Sequence, residues 1–319
     1  MKRIAVMTSG GDSPGMNAAI RSTVRVALNE GMEVLGIING YAGMTEDQMV
    51  NLDSRAVGDI LHRGGTMLGT ARCEYFKTAE GRRQALDNLR RRGVEGLVVI
   101  GGDGSLRGAK LLGEMGLPVV GLPGTIDNDI WGTDYTIGFD TAVNTVVDAI
   151  NKLRDTASAH GRVMVIEVMG RKSGWIAMTS GLAGGAEQIL IPEMEVNLAE
   201  ICEQLRISRS NGKKYSIVVV AEGVEGASDI GDRIIAETGL ETRVSVLGHI
   251  QRGGSPTVFD RILASTLSEQ AVLSLKSGAS GVMFGYEKGA VVAVDIGEAV
   301  ENKKEIAPGM FRLAAVLAK

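Results

Sequence analysis

The stretch EGLVVIGGDGSLRGAKLL, Glu95–Leu112, decides how this chain is read. An apolar run, Leu97–Ile100, feeds a glycine-rich turn, and the turn opens onto a helix-forming segment. A buried strand asks for apolar residues and a helix asks for a start. Neither asks for Gly101-Gly102-Asp103-Gly104 between them. Glycine at such a junction costs backbone entropy unless something must come close to the main chain. The aspartate raises a second question, because whatever approaches must tolerate a negative charge.

The same form occurs near the start of the chain, in VMTSGGDSPGMNAAIR, where Gly10, Gly11 and Asp12 follow an apolar run. Working outward, further apolar runs read as strands: Arg3–Met7, Val34–Ile38, Pro118–Leu122, Val163–Val168, Ile217–Ala221 and Val244–Gly248. They are continuous and rich in valine and isoleucine, as suits strands covered on both faces of a mostly parallel sheet. Helical patterns alternate with them. Val143, Val147, Ile150 and Leu153 make one apolar stripe. Ser255 and Pro256 read as the N-cap and first position of a helix running through Ile262, Leu263, Leu267 and Val272 toward Gly278. The alternation predicts an α/β protein with doubly wound, mostly parallel sheets flanked by helices.

At 319 residues the chain exceeds the size at which one core keeps growing, so two domains are expected. A net charge of −4 gives no global basic field for nucleic acid, and 4% aromatics offer few stacking platforms. Cys73 and Cys202 have neither metal-ligand spacing nor the pattern of a disulfide scaffold. The apolar run after the basic start MKR reads as too short for a signal peptide, and no apolar run approaches the length of a membrane span. No lipidation motif is expected, and a reduced, cytoplasmic setting is expected.

In an open parallel sheet, ligands sit beyond the carboxyl ends of the strands. A helix N-terminus there offers free N–H groups and partial positive charge to a phosphate. Asp103 would repel a bare phosphate but fits if a divalent cation such as Mg²⁺ lies between them. The plain alternative is a tight turn with no ligand. A dinucleotide is another, since Gly102, Gly104 and Gly108 nearly match its fingerprint, but the next strand does not end in the acid that would hold a ribose. That strand ends in PGTIDND instead. Asp127 and Asp129 there are either a solvated turn or a pair that divides metal binding and proton acceptance. Thr125 has a hydroxyl for a sugar or phosphate. Arg72, Arg162, Arg171, Arg243 and Arg252 each adjoin a strand end or a glycine loop, where guanidinium grips phosphate in bidentate fashion. His249 is either structural or a ligand contact.

Taken together, TSGGDSPGMNAAIR, RGGTMLGTARC, VVIGGDGS, LPGTIDND, IGFDTA, RDTASAH, VMGRKSG, VAEGVEG and VLGHIQRGGSPTVFDRILAS resemble ATP-dependent 6-phosphofructokinases of the short bacterial type. A GGDG loop alone also occurs in NAD kinases and lipid kinases, which lack the rest. The resemblance implies that Gly11, Arg72, Cys73 and Gly102, Asp103, Gly104 and Ser105 line an ATP site, with Asp103 toward Mg²⁺. It implies that Asp127 accepts the proton of the sugar 1-hydroxyl, with Arg72 and Arg171 also catalytic. Thr125, Asp129, Met169, Gly170, Arg171, Glu222, His249 and Arg252 would surround fructose 6-phosphate, and Arg162 and Arg243 would reach it from a neighbouring subunit of a homotetramer. Residues 1–138 with 252–304 would form the ATP-binding domain, and 139–251 with 305–319 the fructose 6-phosphate-binding domain.

Pyrophosphate-dependent relatives typically carry aspartate where this chain has Gly104 and lysine where it has Gly124, so the two glycines favour ATP. Gly174-Trp175 departs from the Gly-Asp of many short ATP enzymes and resembles longer or pyrophosphate-type members. The resemblance further implies an effector site for ADP and phosphoenolpyruvate, formed by Arg21, Arg25, Arg154, Gly185, Glu187, Asn211, Lys213 and Lys214. Asn211 replaces a basic residue common there, and Tyr215 a histidine. The competing classes are a pyrophosphate-dependent enzyme, a nicotinamide-dependent oxidoreductase, which has no use for Asp103 or Asp127, and a non-catalytic nucleotide sensor.

Overall fold

A computed structural model describes residues 1–318. The chain divides into two compact units. The first comprises Met1–Ile126, Ile130–Thr141 and Arg252–Lys304; the second comprises Asp127–Asp129, Ala142–Gln251 and residues 305 onward. In chain order the first unit holds β1 (Arg3–Ser9), α1 (Met16–Asn29), β2 (Glu33–Ile37), α2 (Gly40–Thr45), β3 (Met49–Leu52), a 3₁₀ turn (Tyr75–Lys77), α3 (Ala79–Arg91), β4 (Gly96–Gly101), α4 (Asp103–Glu114) and β5 (Val119–Pro123). Helix α5 (Phe139–His160) leads into the second unit, with β6 (Val163–Val168), α6 (Trp175–Ala183), β7 (Gln188–Leu190), α7 (Leu198–Ser210), β8 (Ser216–Ala221), α8 (Ala227–Thr238) and β9 (Thr242–Val246). After a 3₁₀ turn (Gly248–Arg252), the chain adds α9 (Val258–Lys276), β10 (Val282–Glu287), β11 (Ala290–Asp295) and α10 (Ile296–Glu301) to the first unit, and α11 (Pro308–Leu317) to the second.

The first sheet has the order β11-β10-β5-β4-β1-β2-β3. Its inner pairs are parallel, and the edge strands β3 and β11 run antiparallel to their neighbours. The β10–β11 hairpin turns through Lys288 (φ 51) and Gly289 (φ 87), both left-handed, as a two-residue hairpin loop requires. Alternate residues of each inner strand face opposite layers. Ile4, Val6, Val98 and Ile100 pack with Ile20, Val24, Leu263 and Leu267 of α1 and α9. Ala5, Met7, Leu97 and Val99 pack with Leu86, Leu89, Leu106 and Leu112 of α3 and α4. This two-sided burial is why the strands read as unbroken apolar runs.

The second sheet, β7-β8-β6-β9, is parallel throughout. Val163, Val165, Val218 and Val220 pack against Cys202 and Leu205 of α7 and Ile230 and Ile234 of α8. Among the described residues no helix is long and apolar enough to cross a membrane.

The start of α9 differs from the sequence reading. Its N-cap is Thr257, whose side chain accepts from Asp260 N–H at 3.2 Å. Ser255 is drawn away because its hydroxyl donates to the His62 carbonyl at 2.7 Å, and the Pro256 carbonyl accepts from Arg261 Nε at 2.8 Å.

Candidate active site

Strand register brings the first unit's glycine loops together. Ser9 pairs with Gly101, and Gly101 with Pro123, so β1, β4 and β5 end level. Gly10–Asp12, Gly102–Ser105 and Gly124–Thr125 therefore leave the sheet side by side. The contact is close: Gly124 N–H donates to the Gly101 carbonyl at 3.0 Å, and a Cβ on Gly10 would lie 3.2 Å from Ser105 Oγ. A Cβ on Gly102 would touch Thr125 at 3.5 Å, and one on Gly104 would meet nothing within 4 Å. Arg252 completes this cluster, since its Nη1 donates to the Asp12 carbonyl at 3.1 Å. Asp103 opens α4 and pairs with Arg107 Nε at 2.9 Å, and both side chains are about half exposed.

Arg72 and Cys73 lie on a long irregular segment between β3 and α3. Side chains of β1 and α1 tie that segment down. Asn17 donates to the Arg63 and Gly64 carbonyls at 3.2 and 3.1 Å and accepts from Met67 N–H at 2.7 Å. Thr8 donates to the Gly69 carbonyl at 3.0 Å, and Thr70 donates to the Gly10 carbonyl at 2.7 Å. Arg72 itself is exposed and Cys73 half-buried.

The TIDND segment turns sharply. Asn128 has φ 51, a left-handed value that asparagine tolerates better than most residues, and it is 1% exposed. Asp127 and Asp129 flank it half-buried. Ser173 donates its hydroxyl to the Asp127 carbonyl at 2.8 Å. In the second unit Val168 pairs with Ala221, so Met169–Arg171 and Glu222 emerge together at the carboxyl ends of β6 and β8, where Glu222 N–H donates to the Val168 carbonyl at 2.8 Å. Gly170 has φ 127, and the Ser173 carbonyl fills the space beside it. Gln251, fully buried, accepts from Met169 N–H at 3.2 Å and donates to the Gly248 carbonyl at 3.1 Å. His249 in the same turn is exposed.

Arg162 and Arg243 stand apart from these residues. Arg162 immediately precedes β6, and Met164 of that strand pairs with Arg243 of β9. Both therefore lie toward the amino end of the sheet, opposite to Met169, Arg171 and Glu222. Residues 163–168 at about 3.3 Å each put roughly 16 Å between the two ends. Glu241 serves both arginines: Arg243 Nη2 donates to its Oε1 at 2.8 Å, and Arg162 Nε sits 2.9 Å from the same atom, an ion-pair distance without hydrogen-bond alignment.

The basic positions split between the units. Arg21 and Arg25 lie one turn apart on α1. Arg21 Nε is buried without a hydrogen-bond partner, and burial, then the Arg25 charge, holds the Arg21 guanidinium below its ordinary value. In the second unit Arg154 donates to the Gly184 and Gly185 carbonyls and lies 5.9 Å from the centre of the Tyr215 ring. Lys213 pairs with the largely buried Glu187 at 2.9 Å, and Glu187 also accepts from Ile217 N–H at 2.5 Å. Asn211 caps the C-terminus of α7, and Lys214 follows two residues after Gly212.

Sequence reasoning passed over Asn17, Gln251 and Glu241. Asn17 and Gln251 sit inside motifs already singled out, GMNAA and HIQRGG, where an uncharged amide at a junction was the available signal. Among the described residues no group of three or more His, Cys, Asp or Glu could hold a metal. Asp103, half-exposed and paired with Arg107, offers a single carboxylate, which is compatible with Mg²⁺, an ion that keeps several waters and takes one or two carboxylates beside substrate phosphates.

The Phosphofructokinase family profile matches residues 3–275. The ATP-dependent 6-phosphofructokinase of Bacillus subtilis is 58% identical over 317 residues, covering 99% of each chain. That of Clostridium botulinum is 52% identical over 319 residues and 100% of each. Phosphofructokinase from Saccharomyces cerevisiae superimposes with a TM-score of 0.90 at 36% identity over 100% of this chain, which spans 48% of the yeast chain. A pyrophosphate-dependent phosphofructokinase from Marinobacter aquaeolei reaches 0.88 at 20% identity, a likeness of fold. With the profile spanning most of the sequence and such relatives aligned nearly end to end, the chain belongs to the phosphofructokinase family.

Proposed function

We propose that this chain transfers the γ-phosphoryl group of ATP to the 1-hydroxyl of fructose 6-phosphate, giving fructose 1,6-bisphosphate and ADP in glycolysis. The observation that carries the reading is the 58% identity, over 99% of both chains, to enzymes named ATP-dependent 6-phosphofructokinase. A cytoplasmic setting goes with it.

In this reading residues 1–138 with 252–304 hold ATP, and residues 139–251 with 305–319 hold the sugar phosphate. Gly11, Arg72, Cys73 and Gly102–Ser105 receive the nucleotide; the level strand ends and the open space at Gly104 support this. Mg²⁺ held at Asp103 would neutralise phosphate charge. Asp127 accepts the hydroxyl proton as the alcohol becomes acidic during transfer. Arg72 and Arg171 stabilise the charge spread over the transferred group. Thr125, Asp129, Met169, Gly170, Glu222, His249 and Arg252 position the sugar phosphate.

Arg162 and Arg243 serve a neighbouring subunit of a homotetramer. Their place at the far end of the sheet from Arg171 and Glu222 supports that assignment, because one chain cannot bring both ends to one ligand. The cations Arg21, Arg25, Arg154, Lys213 and Lys214, with Gly185, Glu187 and Asn211, form a site for ADP or phosphoenolpyruvate. The partnerless Arg21 Nε supports an anion there. The engagement of Lys213 by Glu187, and of Arg154 by backbone carbonyls, predicts a weak response.

The test is a coupled assay on fructose 6-phosphate with ATP or pyrophosphate as donor. Faster turnover with ATP is expected. Faster turnover with pyrophosphate overturns the donor, and nicotinamide-dependent reduction or oxidation without phosphoryl transfer overturns the activity.

A further inference from the structure

Two segments proposed to receive ATP, Arg72–Cys73 and Gly102–Ser105, are far apart in sequence, and one side chain supports both. Tyr41 of α2 is 7% exposed. Its hydroxyl donates to the Ser105 carbonyl, in the first turn of α4, at 2.6 Å. Its ring stacks on Phe76, with centroids 4.0 Å apart and planes at 21°. Phe76 lies in the 3₁₀ turn that follows Cys73. Burial raises the phenol well above its ordinary value, so the hydroxyl keeps its proton and stays a donor.

Both neighbours are shaped around this ring. A Cβ on Gly108 would fall 2.6 Å from the Tyr41 ring and hydroxyl, so α4 reaches the tyrosine only because position 108 has no side chain. Ser105, whose carbonyl Tyr41 holds, has its Oγ against Gly10 and Gly101. Helix α2 does not move freely, because Asn88 of α3 donates to the Met44 and Thr45 carbonyls at 2.9 Å each. Thr45 Oγ1 also approaches Cys73 Sγ at 3.9 Å.

We propose that Tyr41 is a positioning residue for the donor site, fixing the first turn of α4 through its hydroxyl and the segment behind Cys73 through its ring. The inference rests on the reading of Gly102–Ser105 as the ATP phosphate loop. A misplaced donor weakens nucleotide binding and slows transfer, since small errors in placement are costly in phosphoryl transfer.

Tyr41→Phe keeps the stack and removes only the donor. One net hydrogen bond corresponds to about a two- to tenfold change. We expect that loss in the equilibrium affinity for MgATP and in the KM for ATP, with the KM for fructose 6-phosphate within about twofold of wild type. Gly108→Ala should give the same signature with the hydroxyl intact, because its methyl displaces the ring. A tyrosine that only stabilised the fold would lower the melting temperature and leave ATP affinity alone. Wild-type ATP affinity and KM in Tyr41→Phe overturn the proposal. A wild-type enzyme that binds no nucleotide overturns the functional reading and the proposal with it, and direct binding separates the two cases.

Discussion

Arg252 stands in the space that a side chain on Gly11 would occupy, and its guanidinium reaches past Gly11 to the Asp12 carbonyl at 3.1 Å. The space beside Gly11 is thus filled by an arginine proposed to hold the sugar phosphate.

Gly11→Ala follows from this contact. The obstructing atoms are the end of a flexible side chain, so the fold yields cheaply and the melting temperature should stay near wild type. Arg252 must move. Losing one charge-assisted bond costs about 1.5–3 kcal/mol, so the KM for fructose 6-phosphate should rise roughly tenfold or more. An unchanged KM in steady-state kinetics contradicts the role given to Arg252.

Gly104→Asp probes the donor. No atom lies within 4 Å of a Cβ there, so the substitution should fold without strain and act through charge alone. The expected result is a KM for ATP raised by about tenfold or more, with the KM for fructose 6-phosphate little changed. Gly124 behaves differently. A Cβ there would lie 2.9 Å from Ile100 Cγ2 and 3.3 Å from Gly101 N, so lysine at 124 should cost stability before it alters donor choice.

Asp260 gives a pH dependence. It is fully buried and accepts from Gly138 N–H and Thr141 N–H at 2.8 Å each, and from the Thr141 hydroxyl at 2.5 Å. Burial pushes its carboxyl up to about 6, further than these bonds pull it down. The folded value lies above the unfolded one of about 3.9, so the stabilisation is full below that pH and is lost as pH rises through about 6. Denaturant melts of wild type and Asp260→Asn should show wild type losing roughly 1 kcal/mol relative to the variant between pH 5 and 7.5. A pH-independent difference contradicts this.

Much of this was legible in the sequence, for reasons visible in particular elements. The run Val163–Val168 became β6 residue for residue, because its five apolar residues are buried and its one charged position, Glu167, is only half-buried and accepts from Ala227 N–H at 3.1 Å. Strands β3 and β11 were not read: β3 is four residues long with Asn51 inside it, and β11 is an apolar run by sequence that lies at a sheet edge with none of its residues buried. Strand β9 begins at Thr242, two residues before the apolar stretch, because pairing with β6 extends it into polar sequence. The glycine loops announced themselves because glycine is costly there. Tyr41, Asn17 and Gln251 did not, since a buried hydroxyl or amide shows its partner only once the fold places a backbone carbonyl or amide beside it.

The subunit-sharing proposal predicts complementation. Arg162→Ala and Asp127→Ser should each be nearly inactive as homo-oligomers. Mixed oligomers, formed by dissociation and reassociation of the two, should regain activity, because some sites draw Asp127 from one chain and Arg162 from its neighbour. Mixed oligomers that are verified by differential tags yet stay inactive contradict the assignment.

The most direct test of the central claim is the turnover of Asp127→Ser with MgATP and fructose 6-phosphate, followed as γ-labelled phosphate appearing in the sugar bisphosphate. Wild type should transfer one label per ADP formed. The variant should fold normally, bind the sugar phosphate nearly as well, and show kcat lowered by about 10²–10⁴, the range for loss of a general base. Label transfer by the variant at the wild-type rate, or none by wild type, contradicts the account.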